Sequence, residues 1–209
     1  MALVGETIAE EALFSVHATG PSTRQRRTLK HGDSFAVLDS HGDMGAVADV
    51  ADGLFHCDTR FLSRLELRLN GTAPLLLGSN VSDDNSTLNV DLTNPDILIG
   101  ERLLCKKDTL HIVRTLFVWR GRFYQRLGVR NHGEEEINFE LSFIFASDFA
   151  DIFEVRGLQR ERHGTTSIGL KSPGKVVLRY AGWTTRYGKP RSALIRIRPC
   201  SDRTWPCTD

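Results

Sequence analysis

Short runs of alternating apolar and polar residues, separated by turn signals, constrain the fold of this chain more than any other feature. Residues 64–69 alternate in this way and end at Asn70 and Gly71, a pair typical of a two-residue β-hairpin turn. Such runs and turns recur about every ten residues, which is the spacing of short antiparallel strands. The pattern therefore predicts an all-β fold, either a sandwich or a barrel.

The turn signals also predict which strands are neighbours. The strand at 64–69 should return at 75–77, and a strand at 110–119 should return at 123–130 around residues 120–122. A third hairpin should join that second strand to the alternating run 137–145. Further strands are predicted at 159–170 with a turn at His163 and Gly164, at 175–181 after a turn at 173–174, and at 194–198.

The two ends of the chain lack this pattern. Residues 7–16 carry the only helical signal, a Thr7 cap with Glu10 three positions later, and a polar stretch with Gly and Pro follows. We expect residues 1–28 to form a flexible N-terminal arm and residues 29–198 to form the folded domain. Residues 199–209 contain two cysteines and two prolines without periodicity, and we expect an irregular C-terminal tail.

Composition restricts the class of protein. A chain of 209 residues with 25% charged residues suits an ordinary globular domain. The acidic start, with no basic residue before residue 17, argues against a secretory signal, and no apolar run is long enough to span a bilayer. The four cysteines form no CxxC pair, so we expect reduced thiols, a cytoplasmic location, no structural metal and no cofactor.

Charge is unevenly distributed along the chain. The net charge of +1 hides a basic C-terminal part, residues 156–209, with 12 Lys or Arg and 3 Asp or Glu. Such a part could attract phosphate or nucleic acid. Packing against the acidic remainder of the chain is the better explanation, because the arginines are not clustered with aromatic residues, so a nucleic-acid partner is not favoured.

The strongest candidate for chemistry is the segment 148–157, which follows the alternating run. Asp148, Asp151, Glu154 and Arg156 alternate there with large apolar residues. A buried carboxylate needs a partner, so these charges either pair with one another, for example with Arg156, or face solvent, or bind something outside the chain. An extended segment would point the acids to opposite sides, whereas a helical turn would bring them onto one face.

A second charged segment precedes the strand at 64–69. Asp58 and Arg60 lie on the same side of an extended chain, where they can pair with each other or bind sugar hydroxyls. His56 with these acids could hold a metal in principle, but a single histidine is a weak signal. No glycine-rich phosphate loop and no HExxH or GxSxG motif occurs.

Four segments in order, residues 30–39, 53–65, 91–96 and 148–157, resemble the N-terminal domain of bacterial glycogen debranching enzymes of the amylo-α-1,6-glucosidase type. The resemblance runs from about Leu29 to Tyr180. It implies an antiparallel, supersandwich-like β-sandwich. In the family this domain normally precedes a catalytic (α/α) barrel, which carries the catalytic carboxylates.

The resemblance implies a domain that is not an enzyme by itself and that packs on the barrel, in cis or in trans. It makes Asp58, Arg60, Asp148, Asp151, Glu154 and Arg156 candidates for contact with the barrel or with α-glucan, and Phe149, Phe153, Trp119 and Trp183 candidates for a sugar-stacking platform. Cys57 stands where the family more often has a larger polar residue. No barrel follows before Asp209, so we expect a truncated, frameshifted or split gene.

Two other functions remain open from the sequence. The chain could be a free-standing carbohydrate-binding module, which would bind glucan without a partner domain. It could also be a polyanion-binding module that uses the basic C-terminal part, which would show binding that weakens steeply with salt.

Overall fold

The computed structural model describes residues 25–45, 51–159, 164–172, 175–181 and 191–196. The predicted helix at 7–16, Trp183 and the tail 199–209 lie outside these residues, and the boundaries of arm, domain and tail remain predictions. The elements in chain order are β1 (Arg27–His31), β2 (Ser34–Leu38), β3 (Gly53–His56), β4 (Thr59–Leu62), β5 (Arg64–Leu69), β6 (Leu75–Val81), β7 (Thr87–Thr93), β8 (Ile97–Ile99), β9 (Arg102–Cys105), β10 (Leu110–Trp119), β11 (Arg122–Asn131), β12 (Leu141–Ala146), α1 (Ile152–Val155), β13 (Thr165–Ser172), β14 (Lys175–Ala181) and β15 (Arg191–Arg196).

All strand pairs are antiparallel, which confirms the predicted fold class of an all-β sandwich. One four-stranded sheet has the order β1-β2-β3-β4 and the other has the order β11-β10-β7-β6. Smaller sheets pair β12 with β5, join β13-β14-β15, and pair β8 with β9.

The core lies between the sheets and is built from alternate residues of their strands. Along β10, the side chains of Leu110, Ile112, Leu116 and Val118 are at most 2% exposed, while the odd-numbered residues 111, 113, 115 and 117 face outward. This is the period-2 pattern that the sequence shows, because successive side chains of a strand point to opposite faces. Twenty buried apolar residues from all five described sheets and from the loops form one continuous cluster.

Arg114 interrupts this core, since it occupies an inward position of β10 and is 0% exposed. Its Nη1 donates to Asp43 Oδ1 at 2.6 Å and its Nη2 donates to the Gln125 side chain at 2.9 Å. The carbonyl oxygens of His41 and Gly42 accept two further bonds. One buried guanidinium thus fastens the loop after β2 to the middle of the second sheet.

Burial raises the pKa of Asp43, although the charge and hydrogen bond of Arg114 act in the opposite direction. The carboxylate also accepts a bond from the Leu67 backbone N–H at 3.2 Å. A buried ion pair of this kind adds little net stability, but it strongly penalises the loss of either partner.

Two predicted hairpins are confirmed. β10 and β11 pair over their whole length around Arg120 and Gly121, whose φ values of 46° and 72° are those of a type I′ turn. β13 pairs with β14 as predicted from the turn signal at 173–174, and the predicted last strand appears as β15.

Two predicted pairings are wrong. Asn70 and Gly71 do form a tight turn, with φ of 44° and 78° and a bridge between Leu69 and Thr72, but the return strand β6 leaves to pair with β7. β5 pairs instead with β12, which the sequence placed beside β11. β12 is therefore not the hairpin partner of β11. Its apolar residues lie opposite the leucines of β5 instead.

Candidate functional site

The two charged segments singled out in the sequence lie side by side. The backbone N–H of Ile152 donates to Asp58 O and that of Arg60 donates to Ala150 O, both at 2.8 Å. Thr59 and Asp151 form an isolated antiparallel bridge. The turn after β3 is thus tied to the segment that leads into α1, and all six candidate residues belong to one region, called here the charged edge.

Asp148 pairs with Arg60 and not with Arg156. The Arg60 Nε lies 3.2 and 3.1 Å from the two carboxylate oxygens of Asp148, and Nη2 donates to the same group. Arg60 Nη1 also donates to Asp52 O at 3.2 Å. Since its fork is fully engaged and its side chain is only 14% exposed, Arg60 holds the two segments together.

Asp151 and Glu154 form a capping box at the start of α1. Asp151 accepts a hydrogen bond from the Phe153 N–H at 3.0 Å, and Glu154 accepts one from the Asp151 N–H at 2.7 Å. The segment is therefore helical, which resolves the alternative left open by the sequence. The Asp-x-x-Glu spacing that suggested paired acids is a capping signature.

The helix ends in a motif that satisfies its last carbonyl groups. Gly157, with φ of 102°, donates to Glu154 O at 2.9 Å, and Leu158 donates to Phe153 O at 3.0 Å. This bond places Phe153 and Leu158 near each other, yet their side chains are 55% and 66% exposed. Arg156 lies between them and is exposed.

Asp58 and Arg156 differ from the other candidates. Asp58 occupies the turn between β3 and β4 with φ of 62°, where its carbonyl is bonded and its side chain is exposed. Among the described residues, neither the Asp58 carboxylate nor the Arg156 guanidinium has a salt-bridge partner. These two charges are the ones that the local fold does not use.

Phe149 cannot belong to a sugar platform, as the sequence proposed, because it is 1% exposed. Its ring packs against Phe61 and Tyr180, with centroids 5.7 and 5.8 Å away, and its φ is 52°. A bulky residue is strained in that conformation. Burial of the ring and a bond from Arg191 Nη1 to Phe149 O at 3.1 Å hold it there.

An open groove of about 680 Å³ lies beside α1 and is called here the α1 groove. Three candidate residues, Arg60, Asp148 and Glu154, line it. The remaining lining residues are Ser147, Ala150, Val155, Leu158, Gln159, Gly164, Thr166 and Tyr180. The lining mixes carboxylate, amide and hydroxyl groups with apolar surface, which suits a polar organic ligand.

The structure also shows charged groups that the sequence reasoning missed. Glu66 is 1% exposed and is paired with Arg64 and Arg68, which lie two residues away on the same face of β5. Burial would raise the pKa of Glu66, but the hydrogen bonds and charges of the two arginines outweigh it and lower the pKa. The Arg-x-Glu-x-Arg spacing was the available signal.

Within the described part of the chain, no group of three or more His, Cys, Asp or Glu side chains is arranged to hold a metal. His56 Nδ1 is bonded to Ser34 Oγ at 2.8 Å and its Nε2 lies 3.6 Å from the exposed thiol of Cys57. No helix among the described residues has the length and apolar character needed to cross a membrane.

Antiparallel sheets, a continuous core and a charged edge bound mainly by its own hydrogen bonds define this chain as a β-sandwich module. A family model for the N-terminal domain of (some) glycogen debranching enzymes matches residues 29–204. The chain belongs to that family. Comparison with curated proteins and with solved structures gave no match.

Proposed function

We propose that this chain is a non-catalytic domain of a glycogen-debranching-type glycoside hydrolase and that its charged edge packs on the catalytic (α/α) barrel. The family match supports the debranching context. Four of the six candidate residues, Arg60, Asp148, Asp151 and Glu154, are used to build the edge, which is a structural rather than a catalytic use of carboxylates.

One observation supports placing the barrel-binding surface at α1. Phe153 and Leu158 expose more than half of their side chains on a short, well-capped turn, with Arg156 between them and Asp58 on the adjoining loop. Arginine and aromatic residues such as phenylalanine are enriched at protein interfaces relative to the rest of the surface. A solvent-facing loop has no need of two such residues held in place by capping bonds.

The test uses the whole chain and a catalytic barrel from a full-length debranching enzyme, expressed without its own N-terminal domain. We expect the two to associate and Phe153→Ser or Leu158→Ser to weaken the complex. Leu77→Ser is the matched control, because Leu77 is 60% exposed on β6, outside the charged edge. Association that is insensitive to both edge variants would contradict the assignment.

The non-catalytic role has its own measurement, which is glucose release from a branched dextrin. We expect no turnover from the chain alone and turnover only when the barrel is present. Measurable turnover by the chain alone would show that its carboxylates cleave bonds. A cytoplasmic location belongs to the same proposal and is supported by the sparse cysteines, of which the two described, Cys57 and Cys105, are free.

The α1 groove supports a second role, direct contact with α-glucan. Its mixed polar and apolar lining beside the proposed barrel surface is the observation that favours it. Binding of maltooligosaccharides should then weaken in Gln159→Ala, which removes an amide from the lining, and in Arg156→Ala or Asp151→Ala, whose sequence neighbours Val155 and Ala150 line the groove. If these variants bind glucan like the unchanged chain, the edge serves the interface alone.

A further inference from the structure

The outer face of the second sheet carries a groove that runs across its four strands. Register places Gly128 of β11, Val113 of β10, Asp91 of β7 and Gly78 of β6 in one row across the sheet. Their neighbours along each strand, such as Ile112 and Leu92, point into the core, so this row faces outward. Two of its four residues are glycines, which have no side chain, so this row rises less above the sheet than a row of larger residues would.

The rows on either side are higher. One consists of Arg126, Thr115, Asn89 and Asn80, and the other consists of Arg130, His111 and Leu75, with Thr93 between His111 and Leu75 only 3% exposed and therefore not raised. The two rows are separated by about 13 Å along the strands, and the outermost strands are about 14 Å apart. We call the depression between the two rows the cross-strand groove.

The groove is open and its polar groups are partly fixed in place. A Cβ added at Gly128 or Gly78 would meet no atom within 4 Å. His111 Nε2 lies 2.9 Å from Asp91 Oδ1, and Thr115 Oγ1 donates to Asn89 Oδ1 at 3.0 Å. Paired side chains of this kind lose less conformational freedom when a ligand binds.

The chemistry of the groove favours a neutral polyhydroxyl chain. Guanidinium, amide, hydroxyl, imidazole and carboxylate groups all border it, and together they can donate to and accept from sugar hydroxyls. Val113 and Leu75, each 36% exposed, add apolar surface for the C–H faces of a sugar ring.

A polyanion is a poorer fit. Arg126 and Arg130 would attract phosphate to the β11 end of the groove, but the Asp91 side chain, which is 49% exposed, lies two strands away in the low row. A carboxylate in the path of a phosphate chain opposes binding by like-charge repulsion.

From these observations we infer that the cross-strand groove binds a linear segment of α-glucan, as a site separate from the charged edge. The choice of glucan rests on the proposed function, since glycogen debranching supplies the substrate class. Such a site would hold a glycogen chain on the accessory domain while the barrel acts on another part of the same molecule.

The test measures binding of the whole chain to glycogen by affinity electrophoresis and to maltoheptaose by calorimetry. Gly128→Phe fills the groove at a position whose backbone accepts a side chain without strain, and we expect affinity to fall about tenfold or more. Arg126→Ala should weaken binding through the loss of one guanidinium without changing the backbone. Unchanged affinity in both variants would overturn the inference.

Two controls separate groove filling from general damage. Gly169→Phe introduces the same side chain at an equally open strand position on β13, and Arg122→Ala removes an arginine from the same face of β11, away from the groove. Both should bind glucan like the unchanged chain, and thermal melting should show all four variants folded.

Other outcomes are also decisive. Tight binding to single-stranded DNA that weakens steeply with salt, combined with no glucan binding, would replace glucan by a polyanion. No binding of either probe would overturn the inference as well. The proposed function is judged independently, because association with the barrel depends on Phe153 and Leu158 and not on Gly128.

Discussion

Replacement of Arg114 by methionine tests the role of the buried ion pair in the core. Methionine keeps an unbranched apolar stem in the space of the arginine, but it leaves the Asp43 carboxylate without its charged partner. Removing one member of a buried pair costs about 3–5 kcal/mol, against a total stability of about 5–15 kcal/mol for a domain. We therefore expect Arg114→Met to remain folded only marginally.

Urea unfolding measures this loss. With a slope of about 2 kcal/mol per molar urea, a loss of about 4 kcal/mol moves the midpoint by about 2 M. The double variant Arg114→Met with Asp43→Ala should recover part of that loss, because it removes the unpaired charge. If Asp43→Ala lowers the stability of Arg114→Met by as much as it lowers the stability of the unchanged chain, the unpaired carboxylate is not the cause of the loss.

The pH dependence gives a second check on the same reasoning. Without Arg114, Asp43 loses the charge and the hydrogen bond that lower its pKa, so this pKa should rise further above its usual 3.8. The folded state then binds more protons than the unfolded state between the usual and the raised pKa, so stability increases as pH falls through that range. The free energy of unfolding that Arg114→Met loses relative to the unchanged chain should become smaller as the pH is lowered from about 8. A loss that becomes larger would refute the argument.

Three further predictions concern single residues. Asp151→Ala should cost about 1 kcal/mol by removing the helix cap, whereas Asp151→Asn should cost less, and equal losses in urea unfolding would count against the capping role. Phe149→Ala should cost about 3–5 kcal/mol through the cavity it leaves, because alanine keeps the Cβ and so does not relieve the backbone strain, and a loss below about 1 kcal/mol would show that the ring does not anchor the loop. The lowered pKa of Glu66 adds stability above its usual pKa of 4.5, and that stability is lost as pH falls through the lower folded value. Glu66→Gln should therefore be less stable than the unchanged chain at neutral pH, with a difference that narrows during acid unfolding; a constant difference would contradict this.

Local features were predictable because they depend on neighbouring residues. The Arg120 and Gly121 turn pairs β10 with β11 through contacts between adjacent strands, and the alternation within β10 identifies its inward face. The helix cap of α1 is visible in the sequence as Asp151 and Glu154 at the right spacing, although the same residues also fit a cluster of functional acids.

The partners of distant residues were not predictable in the same way. Arg60 and Asp148 are 88 positions apart, and nothing in either segment specifies the other. Arg114 has the spacing of a core residue but the chemistry of a surface residue, and only the proximity of Asp43, 71 positions earlier, makes its burial possible. The candidate residues were found, but the sequence did not show which were engaged in the fold.

The sequence by itself determined the class of this protein, since alternation, turn residues and four ordered motifs define an all-β domain of the debranching family. The tertiary structure decided which strands are neighbours, which charges are used internally and which remain exposed. The physical reason is that a period-2 pattern specifies the face a side chain occupies, but not the strand against which that face is buried. The cross-strand groove illustrates this, because Gly128, Val113, Asp91 and Gly78 become one row only when four separate strands adopt their register.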